Sequence, residues 1–165
     1  SKGATQKDFL DLVDKIRSYM PDCALSTDII VGFPGESDSD FDDTMSVVNS
    51  VNFNFSFMFK YSSRPGTKAA EYDSQINESI KQIRLEQLIS RQREITLKVN
   101  RNLIGKDLQV IVEKESKKSK QQWSGRTNGN TWVVFDKMGF KTKDIVTVKI
   151  DDAQGVTLFG TPITS

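Results

Sequence analysis

The chain contains no histidine, and Cys23 is its single cysteine in 165 residues. Without imidazole it lacks the commonest metal ligand and the side chain that titrates near neutrality. One thiol makes neither an internal disulfide nor a CxxC pair. Most zinc sites, nucleophile triads and histidine relays are therefore excluded, and no metal ligand set is expected here. No apolar run approaches the roughly 18 to 20 residues of a membrane span. The N-terminus shows no basic segment leading into an apolar stretch. These absences lead to the expectation of a cytoplasmic chain with no membrane partner.

What is present suits folded domains: 36% of residues are apolar and 27% charged, enough to bury a core. Charge is uneven along the chain. Residues 1–100 hold 12 basic and 15 acidic side chains, whereas residues 101–165 hold 11 and 7. A surface for an anionic partner is therefore expected in the C-terminal part.

Thr5 and Asp8 have capping-box spacing, and Phe9, Leu12, Val13, Ile16 and Met20 recur at helical intervals up to Pro21. Residues 24–33 carry Ile29, Ile30 and Val31 in succession, the pattern of a strand covered on both faces. Ser37 and Asp40 open a second helix with Phe41, Met45, Val48 and Val51 on its inner side. Alternating Phe53, Phe55, Phe57 and Phe59 predict a strand. A helix over about 77–101 follows, with Ile76, Ile80, Ile83, Leu88, Ile95 and Val99 marking one face. This order predicts a parallel α/β layer that is part of a larger barrel or open sheet. From Leu103 the period becomes two, and five short strands, two joined by an Asn128-Gly129 turn, predict a small antiparallel, OB-like barrel. The boundary is expected near 101–106, at Gly105.

Ligands in α/β folds gather at the C-terminal ends of strands, where "GFPGES" (32–37) and "YSSRPGT" (61–67) fall. Gly32 and Gly35 permit close backbone approach, and the amides after Ser37 offer a helix N-terminus to an anion. The alternative is a tight strand-to-helix turn. Asp28 and Glu36 are candidate acceptors for an amine or ribose, or simple caps. Arg64, before Pro65-Gly66, is either a fork for a carboxylate or phosphate, or a surface partner of Glu71 or Asp73. Cys23 reads as structural. Lys114, Lys117, Lys118, Lys120 and Arg126 cluster around Trp123, with Trp132 and Phe135 on the next strand. Basic groups neutralise phosphates and aromatic faces stack on unpaired bases, so the cluster reads as an RNA-binding surface or as a solvated hairpin.

The ordered strings "STDIIVGFPGES", "FMFKYSSRPGTKAA", "SGRTNGNTWVVFD" and "LFG" together resemble the radical S-adenosylmethionine tRNA methylthiotransferases over essentially the whole chain. Arg64-Pro65 resembles the tRNA-acting branch, since the sister enzymes acting on a ribosomal protein usually have acidic residues there. The resemblance implies an N-terminal cluster domain, a central radical barrel and a C-terminal RNA-gripping TRAM domain. On that view residues 1–101 are the last part of a TIM-like radical barrel, residues 102–165 are the TRAM β-barrel, and the N-terminal domains lie elsewhere in the protein.

The implied activity is methylthiolation at C2 of N6-isopentenyladenosine, position 37 of tRNA, with S-adenosylmethionine and two 4Fe-4S clusters. The cluster ligands, a CxxxCxxC run and three further cysteines, are absent from this chain, so no catalytic residue is expected in it and it is expected to be inactive alone. Asp28, Gly32, Gly35, Glu36, Arg64 and Gly66 would then border the S-adenosylmethionine side of the barrel. Lys114, Lys117, Lys118, Lys120, Trp123 and Arg126 would hold the tRNA anticodon arm. The alternatives are a stand-alone RNA-binding module and the ribosomal-protein methylthiotransferase.

Overall fold

A computed structural model describes residues 5–164. They divide into two compact units, with the division between Ile95 and Thr96.

In the first unit, helix α1 (Gln6–Tyr19) and helix α2 (Asp38–Val51) both open on the expected capping boxes, Thr5 with Asp8 and Ser37 with Asp40. Strand β1 (Ser26–Val31) and strand β2 (Phe55–Lys60) pair in parallel from Ser26↔Phe55 to Val31↔Lys60. A 3-10 turn (Ala69–Glu71) leads to helix α3 (Glu78–Arg101). Val31, Phe41, Val48, Val51, Phe53 and Leu88 are buried.

Two expectations hold only in part in this unit. Strand β1 is not covered on both faces: Thr27, Ile29 and Val31 turn inward, while Ile30 is 57% exposed. Successive side chains point to opposite faces of a strand, so a run of apolar residues buries only the face that meets another layer. Phe57 and Phe59 of β2 are likewise open. On α3 the expected face is only half buried, Leu88 and Ile95 being covered while its N-terminal isoleucines are not. Ile80 and Ile83 are exposed, and Lys81, Arg84, Leu88, Gln92 and Ile95 form the covered stripe. The long stems of Lys81 and Arg84 pack as apolar groups while their charged ends find partners.

In the second unit, β3 (Asp107–Glu115), β4 (Gln122–Thr127), β5 (Trp132–Asp136), β6 (Ile145–Gln154) and β7 (Thr157–Pro162) close a barrel in the order β3-β4-β5-β7-β6. All five expected strands are present, but the barrel is not wholly antiparallel, because β5 and β7 pair in parallel. That pairing joins strands separated by β6 in sequence, so no hairpin signal announces it. Val110, Val112, Val133, Phe135, Val146, Val148, Ile150 and Leu158 fill the interior. Gly125 sits where a Cβ would lie 2.3 Å from the Ile111 carbonyl oxygen, so β3 and β4 approach there only over glycine. The β4–β5 hairpin forms as expected, with Asn130 (φ 64°) as a left-handed residue and its amide on the Thr127 carbonyl (2.9 Å).

Candidate functional sites: two strand-end loops and an outer barrel cavity

The two strand-end loops meet through aromatic packing and α3. Phe33, after β1, sets its ring edge-on to Tyr61, after β2, at 5.4 Å. Lys81 donates its ammonium to the Tyr61 carbonyl (3.0 Å), pairs with Glu78 and lies 5.6 Å from the Tyr61 ring centre. Gly32 (φ 75°) rests on the same lysine: a Cβ there would come within 2.2 Å of Lys81 Cγ. The absence of a side chain at Gly32 thus serves internal packing. Gly35 (φ 86°) donates its amide to the Ser74 carbonyl at 2.8 Å.

Glu36 is held inside the loop. Its carboxylate accepts from the Gly32 amide (3.0 Å) and from Arg84 Nη1 (2.7 Å). Arg84 also donates to the Glu36 carbonyl oxygen (3.1 Å) and to Asp38 (2.8 Å), and its guanidinium lies over Phe41. Burial opposes the charge of Arg84, yet the hydrogen bonds that it donates to Asp38 and Glu36 prevail and hold its pKa above the ordinary value. At the α2 N-terminus, the amides of Ser37 and Asp40 are satisfied by the reciprocal capping box. The Asp40 carboxyl is held below its usual range by the backbone and hydroxyl of Ser37.

Arg64 is exposed and makes no ion pair among the described residues, so neither Glu71 nor Asp73 claims it. Its carbonyl accepts from Thr67 Oγ1 (2.7 Å), and Gly66 (φ 85°) has open space around it. Asp28 is exposed on β1, opposite Phe57. Cys23 is half-buried, with its thiol toward the Ala24 carbonyl at 3.7 Å. Lys81 and Arg84, which tie the loops, escaped sequence reasoning. Their i,i+3 spacing on α3 was the only available sign.

On the barrel, alternation sends Trp123 and Trp132 to different sides. Trp123 pairs with Phe135, packs against the core, and donates Nε1–H to the Phe140 carbonyl at 2.9 Å. Lys137 lies 4.3 Å from its ring centre. Trp132 is on the outer face, with Lys114 at 4.7 Å and Arg126 at 5.0 Å from its ring. Arg126 is fixed by both carboxylate oxygens of Glu113 (2.7–3.1 Å) and by Asn130 (3.0 Å). The hydrogen bonds that Arg126 donates to Glu113 raise its pKa above the ordinary value. A bulge between Val112 and Lys114 resets the pleat so that Lys114 pairs with Ser124 on the outer face.

A cavity of about 370 Å³ opens on this face, lined in part by Lys114, Lys117, Lys118, Trp132 and Phe159. No acidic side chain lines it. Of the expected RNA-binding residues, the structure thus gathers Lys114, Lys117 and Lys118, with Arg126 supporting Trp132. Lys120 is exposed away from the cavity lining, and Trp123 faces inward. Trp132, set beside the basic cluster in the sequence, lines the cavity, and Phe159 of β7 is the aromatic that sequence reasoning did not select.

The TRAM domain family model matches residues 101–163. The likeness extends well beyond it. The chain is 40% identical over 160 residues to the tRNA-2-methylthio-N(6)-dimethylallyladenosine synthase of Christiangramia forsetii, covering 96% of the chain and 33% of that enzyme. It is 41% identical over 160 residues to the synthase of the same description from Porphyromonas gingivalis, covering 96% and 35%. The figure is 45% over 159 residues for that of Fusobacterium nucleatum, covering 96% and 37%. Over nearly its whole length the chain is thus similar to synthases of this description, and it spans about a third of their length. Among the described residues no group of acidic, cysteine or histidine side chains is arranged to hold a metal ion, and no helix is long and apolar enough to cross a membrane.

Proposed function

We propose that this chain is the C-terminal part of a tRNA-modifying methylthiotransferase, acting at C2 of N6-isopentenyladenosine at position 37, and that its TRAM domain holds the anticodon arm of the tRNA. The observation that carries the RNA reading is the outer cavity. Three lysines without an acidic neighbour in the lining surround two aromatic side chains there, the combination by which single-stranded and loop RNA is bound. The names of the relatives support the substrate and the reaction.

Residues 1–101 then belong to a radical barrel completed by the rest of the protein. The open face of β1 and β2, with Ile30, Phe57 and Phe59 exposed, supports a further layer there. The residues present do not fit an iron-sulfur cluster, which needs three or four thiolates where this chain has Cys23 alone. No chemical step is derived through one. On the S-adenosylmethionine side, Glu36 is committed to Arg84 and Gly32, and acts as a brace for the loop. Asp28 and Arg64 retain the charged groups free to meet a ligand, alongside the backbone near Gly32, Gly35 and Gly66.

Titrating the chain into an anticodon stem-loop at several salt concentrations tests the RNA reading. The expected log–log slope is steeply negative and becomes shallower by about 2 to 3 in a triple Lys114→Ala, Lys117→Ala, Lys118→Ala variant, roughly one unit per phosphate contact. Salt-independent binding, or an unchanged slope in the variant, would remove the lysines from the interface.

A further inference from the structure

The tip of the β4–β5 hairpin holds a reactive pair of residues. Asn128-Gly129 is the one place in the sequence where glycine follows asparagine, and each of the other seven asparagines precedes a residue with a side chain. Asparagine is thermally labile because the backbone nitrogen of the next residue can attack its carboxamide carbon. A side chain on that next residue crowds the attack, and glycine has none.

The hairpin leaves both reacting groups unclaimed. It closes below the tip, where the Thr127 amide donates to the Thr131 carbonyl (3.0 Å), the Asn130 amide to the Thr127 carbonyl (2.9 Å) and the Thr131 amide to Thr127 Oγ1 (3.2 Å). Asn128 is exposed, and neither its carboxamide nor the Gly129 amide makes a hydrogen bond among the described residues. Asn130 is the opposite case. Its carboxamide oxygen accepts from Arg126 Nη1 (3.0 Å), and the amide that would have to attack it, that of Thr131, is hydrogen-bonded and belongs to a β-branched residue. Two asparagines on one turn thus differ in reactivity.

We propose that Asn128 is a site of spontaneous deamidation, which turns a neutral side chain into an anion at the end of the hairpin that carries Arg126 and Trp132. The Gly129 nitrogen loses its proton to water and bonds to Cγ of Asn128. The bond from Cγ to the side-chain nitrogen breaks, and that nitrogen takes up a proton and leaves as ammonia. Water then adds to one of the two carbonyl carbons of the resulting imide ring and opens it. One opening gives aspartate, and the other gives isoaspartate, whose main chain is one methylene longer. One water is consumed and one ammonia released, with no change of oxidation state. Arg126, two residues earlier, already answers Glu113 and Asn130. A carboxylate at the tip competes for that guanidinium and repels a polyanion. The chemistry stands apart from the RNA reading, and its effect on binding rests on that reading.

Peptide mass spectrometry of the chain, held folded at mildly alkaline pH and sampled over days, tests the site, with fragmentation to separate Asn128 from Asn130. The expected product appears at Asn128 ahead of every other asparagine, as a mixture of aspartate and isoaspartate, and an Asn128→Gln variant lacks it. The aged chain and a fresh Asn128→Asp chain should each bind an anticodon stem-loop about 1.5- to 5-fold more weakly than the fresh chain, the worth of one exposed charge interaction. Aged Asn128→Gln should keep its affinity. Deamidation of Asn128 in urea but not in the folded chain, or of Asn130 first, would overturn the site. Unchanged affinity in Asn128→Asp would overturn the effect on binding. A fresh chain with no affinity for the stem-loop would overturn the RNA reading, a result that the mass spectra distinguish from failure of the site.

Discussion

Replacing Arg84 with Met tests how the strand-end loops are held. Arg84 and Glu36 have side chains only 7% and 10% exposed, and their ion pair is 2.7 Å long. Breaking a buried pair by removing one member costs about 3 to 5 kcal/mol, because the remaining charge is left uncompensated. Here the lower end applies, about 3 kcal/mol, since the second arm of Arg84 pairs with Asp38, whose side chain is in water. With a urea dependence of about 1 to 3 kcal/mol per molar, the unfolding midpoint should fall by roughly 1 to 3 M.

The chain carries its own control. Both tryptophans lie in the barrel, while α1, α2 and most of α3 lie in the first unit. Far-ultraviolet circular dichroism should therefore report the early transition, and tryptophan emission should report an unchanged barrel. Combining Arg84→Met with Glu36→Gln should recover at least about 1 kcal/mol, because the stranded carboxylate is gone. An unshifted helical transition in Arg84→Met, or a double variant less stable than the single, would refute the loop-brace reasoning.

Gly32→Ala should destabilise the first unit by at least about 3 kcal/mol, through strain at φ 75° and collision with Lys81, while Gly66→Ala, in open space, should cost only about 1 kcal/mol; urea melts compare them directly. Acid should weaken α2 through Asp40. Its folded pKa is depressed, so its contribution is complete above the ordinary value of 3.8 and is lost as pH falls through the lower folded value. In an acid titration followed by circular dichroism, Asp40→Asn should show less loss of helical signal below pH 3.8 than the unmodified chain does. In the full-length protein, Arg64→Ala should lower tRNA methylthiolation without lowering the melting temperature, measured by nucleoside analysis beside a thermal melt.

Local features were legible in the sequence and non-local ones were not. The capping boxes of α1 and α2 are fixed by residues three apart, so Thr5 with Asp8 and Ser37 with Asp40 could be read directly. The five barrel strands were legible from their alternation. The parallel β5–β7 pair was not, because it depends on which distant strands meet when the barrel closes. In "WVVFD" both parities are apolar, so the run does not reveal that Val133 and Phe135 face in while Trp132 faces out. The sequence alone therefore does not say which of the two tryptophans faces the outer side. On α3, isoleucines suggested the packed face, yet Lys81 and Arg84 occupy it, because the chain supplies carbonyls and carboxylates to receive their charges. The basic cluster at Lys114, Lys117 and Lys118 was legible. That it surrounds a cavity completed by Phe159 of β7 depended on closure.

The most direct measurement of the central claim is mass spectrometry of tRNA nucleosides from cells whose full-length gene carries Lys114→Ala, Lys117→Ala and Lys118→Ala, beside the unmodified gene and a deletion. The account expects 2-methylthio-N6-isopentenyladenosine to disappear in the deletion and to fall strongly in the triple variant at equal protein abundance. Normal levels in the deletion would contradict the proposed reaction, and normal levels in the triple variant alone would contradict the barrel face as the tRNA grip.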